Sequence, residues 1–183
     1  MRGKSHISLG HYLLSHYLPE LPVWHKRAFL LGCIQPDRNP ATYLKGSLRH
    51  RWLHGHNYHN ARMFMQRISR RLEKKEVLHL FDFYTLGKLI HYTADAFTYA
   101  HNDFFRNTLS AHRLYEHRLQ DHFLNYLSSN PSVDIPFSAS IMDTINCFHQ
   151  EYARENTDIF RDSRFALQAC CCVFCVALAH KMI

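Results

Sequence analysis

Two of the His-x-x-x-acid pairs in this sequence fall on successive segments with helical apolar spacing. His91-Tyr92-Thr93-Ala94-Asp95 and His112-Arg113-Leu114-Tyr115-Glu116 have the spacing that stacks two side chains on one helix face. Imidazole and carboxylate groups projecting inward from neighbouring helices are the arrangement from which metal centres in helical bundles are built. A single pair is equally what a solvated helix surface shows. Two pairs on successive segments, with His101 between them, favour a metal centre. His6 and Asp37 carry less information individually, and their meaning depends on the fold. His50, His54, His56 and His59 add four imidazoles in one short segment, whose spacing does not say which of them points inward.

Other chemistries are less well supported. Cys170-Cys171-Cys172 and Cys175 have no matching second pair, and consecutive cysteines on a helix point in different directions, so apolar packing of small thiols is expected there rather than a zinc ribbon or an iron–sulfur cluster. There is no glycine-rich phosphate loop and no nucleophile elbow. An adjacent His-Asp dipeptide is also missing, which counts against the helical metallophosphohydrolases that depend on one.

Composition agrees with a metal centre. The 16 histidines slightly outnumber the 15 acidic residues, and they are scattered from His6 to His180 rather than gathered in a tag-like run. The formal charge of +7 favours anionic partners. Four cysteines within six residues cannot form an ordinary disulfide framework, which predicts a reducing, cytoplasmic setting. The first residues do not read as a signal peptide. The apolar run 165–179 falls short of the ~20 residues that cross a bilayer, so a buried helix is expected there.

Gly and Pro number only 6 each across 183 residues, too few to punctuate many short strands. The pattern predicts an all-α, single-domain helical bundle of about six to seven helices around an interior metal cluster. A first helix is expected over 5–18 with Ser5 as its cap, and a short second one over 24–33. Asp37 is then expected on an irregular loop between Pro36 and Pro40, because a proline biases its predecessor away from the helical region. Amphipathic helices follow over 57–75, 82–100 (with Asp82 as a candidate cap), 108–127, 138–160 and 163–181. The Arg67, Arg70, Arg71, Lys74 and Lys75 side of the third helix is expected to be solvated, the alternative being contact with phosphate-bearing lipid or nucleic acid.

Read in order, Ser5-His6, Gly32-Cys33-Ile34-Gln35-Pro36-Asp37, the run His91 to His101 with Asp95 inside it, and His112 to Glu116 resemble the bacterial zinc-dependent phospholipase C family, over roughly residues 5 to 125. That family is all-helical and similar to single-strand-specific zinc nucleases, both groups holding three zinc ions that hydrolyse phosphate esters. The resemblance implies two to three Zn2+ ions here. Asp37, His91, Asp95 and one histidine of the 50–56 segment would bind the first. His101, His112 and Glu116 would bind the second, and His6 with a bridging Asp95 the third. His56 is preferred as the open histidine because Gly55-His56-Asn57-Tyr58 starts an amphipathic helix, with His50 as runner-up. Asp37 would also act as catalytic general base. In the family an N-terminal tryptophan gives its amino group to the third zinc; this sequence has Met1 five residues before His6 and no tryptophan there.

The expected activity is phosphodiester or phosphomonoester hydrolysis by a metal-bound hydroxide, since mixed imidazole and carboxylate sites bring bound water to a pKa of ~7. Substrates in view are a phosphate ester such as a phospholipid headgroup, at a membrane surface. The alternatives are a nuclease or nucleotidase of the same fold and a non-catalytic, zinc-braced binding protein.

Overall fold

The computed structural model describes residues 1–44, 56–103, 109–135, 140–154 and 158–183. His50 and His54 lie outside the described residues. Among those described there are seven α-helices and no strand beyond one isolated bridge between Val77 and Met182. The helices are α1 (Gly3–Tyr17), α2 (Val23–Arg38), α3 (Tyr58–Glu73), α4 (Leu80–Ala96), α5 (Leu109–Ser128), α6 (Ile141–Tyr152) and α7 (Ile159–Leu178), with 3₁₀ turns at Pro40–Leu44 and Tyr99–His101.

Helix α4 is the axis of the molecule and packs against α2, α3 and α7. Its Leu86, Leu89, Ile90, Ala94 and neighbouring Phe97 are buried, as their helical spacing demands. Phe29, Phe123, Tyr152 and Phe174 are fully buried members of the same core. Helices α2 and α4 run parallel and touch backbone to backbone. A Cβ on Gly32 would stand 2.2 Å from the Tyr84 carbonyl oxygen, and one on Gly87 would stand 2.1 Å from that of Phe29. Only glycine at both positions permits this approach, which brings the C-terminal turn of α2 alongside His91.

Several helix ends differ from the sequence expectation. Helix α1 starts at Gly3 with Arg2 at its cap, so Ser5 is not the cap but a buried residue of the first turn, beside His6. Helix α2 continues to Arg38 with Pro36 inside it. Asp37 therefore sits in the last helical turn and not on a loop. A proline removes only its own N–H and presses on the carbonyl four residues back, here that of Gly32, and its bias on the preceding residue is not an exclusion. The helix closes where the Asn39 N–H bonds the Gln35 and Pro36 carbonyls. At α4, His79 is the cap and Asp82 is the third residue of a capping box, accepting the His79 N–H at 3.1 Å. The segment expected as one helix to residue 100 breaks after Ala96 and resumes as the 3₁₀ turn that carries His101.

The cysteine run packs as expected. Cys170, Cys171 and Cys172 are buried in α7 as free thiols, and burial pushes Cys171 up to about 12 and Cys172 up to about 11, which keeps both neutral. Arg67, Arg70, Arg71 and Lys74 are exposed. Among the described residues, no helix is long and apolar enough to cross a membrane.

Candidate metal centre

Helix α4 presents His91 and Asp95 on one face, both fully buried, with the His91 Nε2 3.3 Å from Asp95 Oδ2. The parallel neighbour α2 adds Asp37, whose Oδ1 is 3.6 Å from the same nitrogen. His56, just before α3, is buried beside them, its Nδ1 3.2 Å from Asp95 Oδ2, 3.2 Å from His91 Nε2 and 3.6 Å from Asp37 Oδ1. From α1, His6 stacks on His91 with centroids 3.9 Å apart and places its Nε2 3.3 Å from Asp95 Oδ1. Neither ring nitrogen of His6 makes a hydrogen bond. On α5, His112 Nε2 is 3.5 Å from Glu116 Oε1, and His101 Nε2 approaches the same oxygen to 3.7 Å. The structure thus brings together all eight residues singled out in the sequence. Three groups of them could each hold an ion: His6–His91–Asp95, Asp37–His56–His91 and His101–His112–Glu116, each with ligand atoms within 4.8 Å of one another.

The hydrogen bonds behind the histidines decide where their protons are. His91 Nδ1 lies 2.8 Å from the Cys33 carbonyl oxygen, which can only accept. Its proton is therefore on Nδ1, and Nε2 turns a lone pair to the centre. The Thr42 hydroxyl has the Pro36 and Asn39 carbonyls at 2.6 and 2.7 Å claiming its proton, so its oxygen accepts from His56 Nε2 at 3.1 Å. Nδ1 of His56 is thereby turned to Asp95 and His91. The Thr98 hydroxyl likewise donates to the Asp95 carbonyl at 2.8 Å and accepts from His101 Nδ1 at 2.8 Å, which bares His101 Nε2. Orienting partners of this kind fix metal-ligating imidazoles.

The charges fit the same picture. Desolvation works to raise the Asp95 carboxyl, but His101, the Met1 amine, His91 and His6 outweigh it and hold the group well below the usual range. Glu116 is lowered in the same way, desolvation being overcome by the Met1 amine, His112 and His101. Burial is the largest influence on His101 and drives it down to about 3. The Met1 amine is buried, bonds Asp95 and lies 3.3 Å from Glu116 Oε1. Desolvation lowers it, yet Asp95, Glu116 and Asp37 raise it to about 10. Nothing in the sequence pointed to Thr42 or the Cys33 carbonyl; Thr98, three residues before His101, carried the only local hint.

These shifts imply acid sensitivity. Burial also lowers His149, to about 4. A histidine whose folded pKa is depressed contributes stability that is present above ~6.5 and lost as pH falls toward the folded value, because the unfolded chain takes the proton first. His101 and His149 act together from about 6.5 down to about 3 and 4. The carboxyls of Asp95 and Glu116, both lowered, act in the same direction below the ordinary carboxylate range. Asp162, raised to about 8 by burial, opposes them between about 8 and 4. Metal-free protein is expected to melt progressively lower between pH 6.5 and 4 in a thermal scan; a melting temperature flat over that range contradicts neutral His101 and His149.

A helical protein that gathers imidazoles and carboxylates from four helices and a 3₁₀ turn in this way has groups able to hold metal. The zinc-dependent phospholipase C family model matches residues 5–181, and the chain belongs to that family. No curated protein and no solved structure matches it.

Proposed function

We propose that the chain is a zinc-dependent phosphoester hydrolase acting on a phospholipid-type phosphodiester or a related phosphomonoester. The observation that supports this most is the convergence of four acceptors, His91 Nε2, His56 Nδ1, Asp37 Oδ1 and Asp95 Oδ2, at 3.2 to 3.6 Å. Acceptors that converge in this way, three of them buried and Asp37 at the edge, suit a cation held between them. Asp37, His56, His91 and Asp95 would hold the first zinc, and His101, His112 and Glu116 the second. His6 and the far oxygen of Asp95 would hold the third beside the Met1 amine. When bound, zinc supplies Lewis acidity toward phosphoryl oxygens and lowers the pKa of water.

The chain's own groups divide the remaining work. The Cys33 carbonyl, Thr42 and Thr98 keep three imidazoles in the tautomer that binds metal. Asp95, fully buried, faces His6 and Met1 with one oxygen and His56 and His91 with the other. Asp37 has a side chain 25 % exposed where those of His91 and Asp95 are fully buried, so it is the carboxylate of the first set that water and substrate reach. That accessibility suits it to take a proton from attacking water.

Elemental analysis of the purified protein followed by a phosphoester panel on the same sample tests the proposal. Two or three zinc ions per chain and turnover of phosphatidylcholine or choline phosphate esters are expected. Turnover confined to nucleotides or single-stranded nucleic acid would reassign the substrate, and full metal occupancy without any turnover would make the centre a brace.

A further inference from the structure

The second ligand set draws on two separate elements, the 3₁₀ turn with His101 and helix α5 with His112 and Glu116, and a buried carboxyl behind them touches both. Asp162, in the first turn of α7, is fully buried. Its Oδ2 accepts the Tyr99 backbone N–H at 2.6 Å and also the Tyr115 hydroxyl. Tyr99 opens the turn that ends at His101, and Tyr115 immediately precedes Glu116. The rings of Tyr99 and Tyr115 meet edge to face with centroids 5.8 Å apart. Its Oδ1 accepts the Tyr152 hydroxyl at 2.7 Å from α6, a helix that contributes no member of the three candidate groups.

We propose that Asp162 is the positioning residue of the second metal set, holding the His101 turn and the His112–Glu116 helix on one oxygen atom. The inference rests on the reading of the centre as a zinc site. Ligand atoms of this set stand 3.5 to 3.7 Å apart, so a small displacement of α5 relative to the turn opens it. Tyr115 lies on the side of α5 next to His112 and Glu116, one turn of helix containing all three, and fixing its hydroxyl fixes the rotation and height of that turn. The arrangement does not depend on the charge of Asp162. In a neutral carboxyl the carbonyl oxygen still accepts from Tyr99 and Tyr115 while the O–H donates to the Tyr152 oxygen, and a carboxamide offers the same pattern.

That equivalence defines the experiment. Zinc affinity is measured by competition with a chromophoric chelator for the wild type and for Asp162→Ala, Asp162→Asn, Tyr115→Phe and Tyr152→Phe, with melting temperatures recorded alongside. Tyr115→Phe and Tyr152→Phe each delete one hydrogen bond to the same carboxyl and are expected to melt alike. Asp162→Ala and Tyr115→Phe are expected to weaken one zinc per chain by about 10- to 100-fold, the size of effect that orienting partners have on metal ligands, while Tyr152→Phe and Asp162→Asn stay within about threefold of wild type. The weakened ion should be the one lost in Glu116→Ala. Equal zinc affinities in the two tyrosine variants overturn the inference while wild-type binding leaves the zinc reading in place, and this comparison decides the matter even where Asp162→Ala does not fold. A wild-type chain that binds no zinc overturns both.

Discussion

Replacing His91 by alanine is expected to remove at least one zinc and to lower the melting temperature by more than the lost metal alone would explain. The ring is fully buried and does two things at once. Its Nδ1–H satisfies the Cys33 carbonyl on α2, and its Nε2 enters two of the three ligand groups. Truncation leaves that carbonyl without the imidazole donor and opens a cavity between two helices already in backbone contact. The orphaned acceptor costs on the order of 1 to 3 kcal/mol, which for a chain of this size is roughly 2–4 °C for each kcal/mol. Loss of zinc adds the binding free energy that the ion had contributed to the folded state. Glu116→Ala should lose a different ion, that of the His101–His112–Glu116 set, with a smaller structural penalty because the side chain is 18 % exposed. His25→Ala is the control. His25 lies on α2 with its ring edge against Phe83 at 5.2 Å, outside every ligand group, and should keep full zinc content. Metal content by elemental analysis and melting by calorimetry separate the three; if they behave alike, the ligand assignment is wrong.

The parts of this centre that were legible from sequence are those set by local geometry. His91 and Asp95, or His112 and Glu116, face the same way because four residues make about one helical turn, and no tertiary information is needed to see it. Asp37 was legible as a residue but not as a conformation. The two prolines around it argued for a loop, and close packing of α2 on α4 through Gly32 and Gly87 carried the helix past Pro36 instead. Spacing left the histidine of the 50–56 segment open, since an irregular stretch has no periodicity to exploit. Contact settles that His56 reaches the cluster, and it does so because Asn57 caps α3 and Thr42 holds the far side of the ring. Thr42, the Cys33 carbonyl and Asp162 meet His56, His91 and Tyr99 across 14 to 63 residues of chain, which one sequence does not reveal. The same holds for the Met1 amine, which meets Asp95 across 94 residues of chain.

Asp37→Asn separates catalysis from bracing, and its helical setting sharpens the expectation. On a loop, the substitution could be absorbed by backbone movement. In the last turn of α2, with the Asn39 N–H closing the helix behind it, the side chain has little freedom to move away from His56 and His91. Asparagine keeps the shape and one acceptor oxygen but removes the charge and the basicity. Zinc at His101, His112 and Glu116 should therefore stay bound, because Asp37 belongs to none of that set's contacts. The first ion should bind more weakly, since one of its two carboxylates becomes neutral. At zinc concentrations that restore full occupancy, phosphoester turnover should still fall by about 10² or more, the usual size of a general-base contribution. The measurement is kcat against added zinc, with metal content determined on the same samples. Recovery of wild-type kcat at saturating zinc would make Asp37 a ligand alone and move the proton acceptor elsewhere. A kcat that stays low with both ions in place would leave Asp37 the group that takes the proton, the role its exposure at the edge of an otherwise buried first ligand set permits.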